Sequence, residues 1–270
     1  MTAPRPSPNP GAAVRIRPCG TADQLVREEP LLLRIHDSQL LTMRTPGQDE
    51  DLALGFLVGE GIVQGPGGVA GTEFVPGDPA RLQADELRVR LVKPPDAAVR
   101  GRLARTHEIR TSCGVCGVSD PQQLLEDMVP LLPGTPRVSR AQVHAMAALL
   151  QERQELFAAT GACHGALVAS PDGTVHGFGE DVGRHNALDK AIGAALRTGT
   201  DLTRAVVLLS GRTGYDLVVK CLRARIGVIA SVSAPSALAF DLCHAAGATL
   251  LGFVRGNRLQ VYCDAARLTD

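Results

Sequence analysis

Apolar and polar positions along this chain follow one rhythm in the first third and another in the second half. Early on the period is short. The runs Leu31-Leu-Leu-Arg-Ile35 and Leu40-Leu-Thr-Met43 flank the polar stretch His36-Asp-Ser-Gln39 and predict a β-hairpin. Residues 52–60 form an amphipathic segment with Asp49, Glu50 and Asp51 ahead of it and Gly61 behind it. That placing of acid and glycine predicts a helix start and stop. A Gly/Pro-rich loop over residues 65–71 leads to an alternating strand over residues 86–92. Residues 93–112 show no regular period and are basic, with Arg100, Arg102, Arg105, His107 and Arg110. Ser119-Asp120-Pro121 then offers a cap and a proline at the first helical position, predicting a short helix to about Met128. Pro130, Pro133 and Pro136 break the chain before the second half.

There the pattern alternates between helix and strand. A helix is predicted from Ser139 to Gly161, with Val143, Met146, Leu150 and Phe157 on one face. Strands over residues 162–169 and 175–178 enclose the tight turn Ser170-Pro-Asp-Gly173. Helices over 184–196, 214–225 and 235–246 then interleave with strands over 205–209, 227–232 and 248–254, and a last strand covers 258–263. Short apolar strands between amphipathic helices predict a largely parallel sheet covered on both faces. The fold class is α/β: a small N-terminal α+β domain followed by a three-layer αβα domain, whose element order is that of the cytidine-deaminase-like fold. The expected partition is a disordered tail over 1–13 and the small domain over 14–112. A cysteine loop, short helix and linker follow over 113–138, and the deaminase-like domain covers 139–270.

Composition narrows the function. Apolar residues make up 44 % and charged residues 21 % of the 270, an ordinary globular balance. Lys+Arg and Asp+Glu are equal at 28 each, so no global field draws nucleic acid or an anionic membrane. With 3 % aromatics and no tryptophan, base-stacking platforms for single strands are not expected. No apolar run is long enough for a membrane span, and residues 1–11 lack the core of a signal peptide. Seven scattered cysteines then predict reduced thiols in a cytoplasm.

Four stretches carry candidate chemistry. In Arg110-Thr-Ser-Cys-Gly-Val-Cys-Gly-Val-Ser119, Cys113 and Cys116 lie three residues apart, each followed by glycine, as in a loop offering sulfur to a partner. The arginines just upstream would favour a thiolate or an anionic substrate there. The same pair is also half of a zinc site, with Cys163 and His164 as the other half, or a redox pair. The stretch from Glu180 to Lys190 suits a helix N-terminus able to receive an anion, with Arg184 and His185 beside it, or a capped surface helix. Ser210-Gly-Arg-Thr-Gly214 links a buried strand to a helix and resembles a phosphate cradle in kind, without the lysine of a Walker motif. Finally Phe253, Val254, Arg255, Gly256, Asn257 and Arg258 form a turn in which two arginines could grip a diphosphate. A zinc deaminase needs His-x-Glu and a later Pro-Cys-x-x-Cys. Here Ala166 stands in the glutamate position and Ser210-Gly-Arg-Thr replaces the cysteines, so deamination is excluded and no resident metal is expected. His144, His176 and His244 are solitary and read as structural.

Taken together, these stretches resemble the FdhD/NarQ family, the sulfurtransferases accessory to formate dehydrogenase. The resemblance rests on residues 52–62, 112–117, 179–190, 210–214, 232–236 and 252–259, in the family's order. It implies a sulfur carrier that accepts sulfane sulfur from a cysteine desulfurase as a persulfide on Cys113, with Cys116 as its partner. The sulfur goes to molybdenum in the bis(molybdopterin guanine dinucleotide) cofactor, a bound substrate, before insertion into formate dehydrogenase. The family's cofactor-binding stretch falls on Phe253 through Arg258, and a homodimer is implied likewise. Cys163 has no place in that chemistry and is expected to be buried and inert. The other readings are a cofactor chaperone without sulfur transfer and a zinc-structured nucleotide-binding protein.

Overall fold

The computed structural model describes residues 11–78, 81, 83–106 and 129–270. Cys113, Cys116 and the helix expected near 121–128 lie outside the described residues. The described residues open with a hairpin of β1 (Ala12–Ile16) and β2 (Ala22–Val26), so regular structure is already present two residues ahead of the expected Val14. The expected hairpin follows as β3 (Glu29–Ile35) and β4 (Ser38–Arg44). Next come α1 (Asp49–Gly59), β5 (Val69–Val75), β6 (Asp85–Leu91) and α2 (Ala97–Thr106). Residues 97–106 form a helix where the sequence looked irregular. Val99 and Leu103, four apart, both bury among otherwise basic and small residues and anchor it to the core.

The second half holds β7 (Val138–Ser139), α3 (Arg140–Arg153), α4 (Glu155–Thr160), β8 (His164–Ala169), β9 (Val175–Asp181) and α5 (Arg184–Arg197). Beyond these lie β10 (Val206–Leu209), α6 (Tyr215–Arg223), β11 (Val228–Ser231) and α7 (Ala237–Ala245). β12 (Thr249–Arg255), β13 (Arg258–Cys263) and β14 (Leu268–Thr269) complete the chain. No helix among the described residues is long and apolar enough to cross a membrane.

The main sheet has six strands in the order β13-β12-β11-β10-β8-β9. Only β10/β11 and β11/β12 pair in parallel, so the sheet is mixed rather than largely parallel. The reason is connection length. β10, β11 and β12 are joined through α6 and α7, which carry the chain back to the same edge. β8/β9 and β12/β13 are hairpins, and a tight turn can only join antiparallel strands. Period alone does not reveal direction.

Alternate residues of the strands divide between two cores. Leu167, Leu208, Val228 and Leu251 pack with Val143, Met146 and Leu150 of α3. Val168, Val207, Ile229 and Leu250 belong to the larger cluster with α5, α6 and α7. That cluster continues into α1 and the inner face of a second sheet, ordered β4-β3-β6-β5, through Leu52, Leu31, Leu33 and Leu87. The two units therefore share one core. Where α1 crosses α5, a methyl group at Gly55 would overlap the Asp189 carbonyl, and one at Gly193 would overlap the Asp51 carbonyl. Only glycine lets these backbones approach so closely.

The helix expected over 139–161 is broken. Ser139 and Gln142 form a capping box at its start, but Gln154 leaves helical geometry at φ −78°, ψ 61°. The Glu180 carboxylate accepts from the Leu156 and Phe157 amides, both at 2.9 Å, and so caps the new helix α4. The change of direction turns Phe157 outward, 47 % exposed, whereas Val143, Met146 and Leu150 are buried as expected.

Candidate functional site

The carboxyl ends of the parallel strands and the bent pair α3–α4 enclose a cavity of about 1030 Å³. Open α/β sheets generally receive ligands at this edge. Ser210 and Gly211 enter it just beyond β10, Val232 just beyond β11, and Val254, Arg255 and Gly256 at the end of β12. Cys163 and His164 enter at the start of β8, which runs the other way and so brings its first residues to the same edge. Ala147, Leu150 and Gln154 supply the helical wall.

The predicted arginine turn is at this edge. Arg255 and Arg258 pair across it, and Gly256 takes the left-handed φ of +54°. Phe253 also has a positive φ of 53°, a strained value for an aromatic residue, held by its amide donating to the Ser233 carbonyl at 3.0 Å. Both guanidinium groups gather on the Phe253 ring, with Cζ of Arg258 at 4.1 Å and of Arg255 at 5.8 Å from its centre. Val254 is buried, while Arg255, Gly256, Asn257 and Arg258 are exposed. Two cations are thus held close together beside a concave site, an arrangement suited to a di-anion.

The sequence profile of the FdhD/NarQ family matches residues 26–269. The chain belongs to this family. It is 43 % identical over 275 residues to the sulfur carrier protein FdhD of Anaeromyxobacter dehalogenans, with 96 % of this chain and 90 % of that one covered. The sulfur carrier protein FdhD of Mycobacterium tuberculosis is 40 % identical, with 92 % of each covered. A crystal structure described as a formate dehydrogenase accessory protein, from Desulfotalea psychrophila, superposes with a TM-score of 0.70. It is 25 % identical and covers 96 % of this chain and 97 % of that one.

Within this FdhD/NarQ fold the stretch from Glu180 to Lys190 turns out to be largely architectural. Asp181 is fully buried. Its Oδ2 accepts from Lys190 Nζ at 2.8 Å and from the Thr45 amide at 3.0 Å. Its Oδ1 accepts from the Gly183 amide and from Asn186 Nδ2. Lys190 donates further to the Thr45 carbonyl at 2.8 Å, so the cluster fastens the end of β4 to α5. Next to Lys190 in the chain, Asp189 forms a second buried pair with Lys220 at 3.0 Å, with Glu60 at 3.2 Å from Lys220. Burial pushes the Asp189 carboxyl up to about 6 against the pull of Lys220. Lys220 is held above its ordinary value by Asp189 and Glu60, which outweigh its own burial. Arg184 and His185 are half-buried at the start of α5, and His185 Nε2 lies 3.5 Å from Asp216 Oδ2.

The Ser210–Gly214 link divides its duties. The Ser210 hydroxyl accepts from the Gly165 amide at 2.8 Å on the cavity floor. Thr213 is buried and its backbone pairs with the Ala234 and Ser236 backbone, tying the β10–α6 link to the β11–α7 link. Arg212 is exposed and does not line the cavity.

Cys163 is 5 % exposed, and its thiol donates to Glu180 Oε1 at 3.2 Å. Burial and the Glu180 carboxylate both raise its pKa, so it stays protonated at neutral pH, which makes it a poor nucleophile. Among the described residues no three His, Cys, Asp or Glu side chains converge as a metal site. Burial, then the charges of Arg184 and His185, lower the pKa of His164, leaving a neutral imidazole on the cavity floor. Two participants were missed by sequence reasoning: Gln154, at the helix break, and Glu180, which caps α4 and receives the Cys163 thiol.

Proposed function

We propose that this FdhD/NarQ-family protein is a sulfur carrier serving the maturation of formate dehydrogenase. A cysteine desulfurase loads one sulfane sulfur onto Cys113 as a persulfide. The acceptor is molybdenum in the bis(molybdopterin guanine dinucleotide) cofactor, which the protein binds as its substrate. Cys116 attacks the Cys113 sulfur of the persulfide, forming the Cys113–Cys116 disulfide and releasing sulfide. The sulfane sulfur is reduced and the two thiols are oxidised, so a cellular thiol must reduce the disulfide before the next cycle. The protein acts as a cytoplasmic homodimer.

The observation that carries this reading is the cavity at the strand ends with Arg255 on its edge and Arg258 stacked behind it. Its volume, about 1030 Å³, suits one nucleotide end of such a cofactor. Paired arginines there would meet the diphosphate, and the family relationship supplies the sulfur chemistry. Mass spectrometry after incubation with a cysteine desulfurase and cysteine should show one added sulfur on the peptide containing Cys113. Cys113→Ala should abolish both that gain and the support of formate dehydrogenase activity. If the variant still supports activity, the protein is a cofactor chaperone and not a carrier. Undiminished single-turnover sulfur delivery by Cys116→Ala would rule out the disulfide step.

A further inference from the structure

Two polar side chains on the cavity floor bond to nothing among the described residues, and each rests on a glycine. The Gln154 carboxamide packs against Gly165 of β8. A Cβ placed on Gly165 would come within 2.9 Å of both its Cδ and its Nε2. The residue is 8 % exposed and lines the cavity, yet its amide has no hydrogen-bond partner among the described residues. His164 is half-buried beside it. A Cβ on Gly211 would stand 3.1 Å from its Nδ1, and its ring is also without a hydrogen bond to a described residue. Both groups open to the cavity, so their hydrogen bonds are left for water or a ligand to make. Here the backbone has given up side chains at two positions and broken a helix at a third to keep these groups in place.

The shape of the site says what they await. Ala147, Ala148 and Leu150 give the helical wall an apolar stretch, and Val232 and Val254 line the same space. A thin heteroaromatic ring fits between such walls with its polar edge toward the floor, and a carboxamide presents a donor and an acceptor side by side to that edge. Arg255 stands on the opposite, β12 side of the cavity, where an attached diphosphate would reach it. From this geometry we infer that Gln154, with His164 beside it, is the seat of a purine base and reads the N1–H and O6 edge of guanine. The assignment rests on the reading above that the cavity takes a guanine dinucleotide, and adds which wall receives the base.

The test is titration calorimetry on the full-length protein with GDP and with inorganic pyrophosphate. The wild type binds GDP more tightly than pyrophosphate. Gln154→Leu should weaken GDP by about tenfold or more, the worth of one buried hydrogen-bond pair, and leave pyrophosphate unchanged. Gln154→Met keeps the length and bulk of the side chain without its hydrogen-bonding groups, guards against a folding artefact, and should also weaken GDP alone. Arg255→Ala should weaken both ligands together. Unchanged GDP binding in both Gln154 variants, or a parallel loss of GDP and pyrophosphate, overturns the base seat while leaving the nucleotide reading intact. A wild-type protein that binds neither ligand overturns both.

Discussion

The two faces of the six-stranded sheet differ in where they leave polar atoms without a hydrogen bond. On the face covered by α5 and α6 the buried charges are partnered: Asp181 with Lys190, Thr45, Gly183 and Asn186, and Asp189 through Oδ2 with Lys220. Asp189 Oδ1, His185 Nε2 and Thr213 Oγ1 are sealed from solvent there without a hydrogen bond. Glycines there bring backbones into contact, as at Gly55 and Gly193. On the face covered by α3 and α4, glycines make room for side chains, and Gln154 and His164 remain unbonded. Density of charged residues in a motif therefore does not mark the cavity in this protein. The charge-rich stretch after Glu180 holds the fold together, and the quieter wall turns its unbonded groups toward the cavity.

That contrast breaks most sharply at the helix crossing. Gly193→Leu drives a side chain into the Asp51 backbone, which cannot yield without parting α1 from α5. The expected outcome is loss of more than about 5 kcal/mol and no cooperative unfolding transition by circular dichroism, because the clash is with main chain.

Asp181→Ala comes next. It leaves the Lys190 ammonium buried without its counter-charge, so chemical denaturation should show a loss of about 3–5 kcal/mol.

Asp189→Asn has a smaller effect, and its signature is a slope. The folded carboxyl titrates at about 6, against 3.8 for a free aspartate, so the folded state binds more protons than the unfolded one in between. Stability contributed through Asp189 is therefore present at low pH and is lost as pH rises through roughly 4 to 6. The variant should flatten that slope in urea melts taken across the window, and an unchanged slope would remove Asp189 as its source.

Smallest of all, Cys163→Ala deletes one thiol contact with Glu180 and should cost about 1–2 kcal/mol, with sulfur loading on the Cys113 peptide unaltered.

How far the sequence could be read depended on which physical signal each feature leaves. The hairpin around His36, α1, α5 and all six strands of the large sheet announced themselves, because burial on one face imposes a period. Strand direction imposes none, which is why the sheet proved mixed. The break at Gln154 was invisible since residues 140–160 are good helix formers throughout, and Glu180, 24 residues beyond Leu156, supplies the cap that makes the break possible. α2 left a faint signal in the Val99 and Leu103 spacing that its arginines obscured. Of the site, the Arg255–Arg258 turn was legible from its dipeptide Gly256-Asn257. An unbonded amide is a fact of three dimensions, and no local pattern announces it.

The shared core has a practical consequence for anyone trimming this protein. A polypeptide starting at Ser139 would retain the complete six-stranded sheet but bare the Gly193 groove of α5, the apolar flank that α1 covers, and the Asp181 and Lys190 groups that Thr45 seals. Such a fragment should collect in inclusion bodies, and supplying residues 11–106 as a separate chain in the same cell should bring it back into solution.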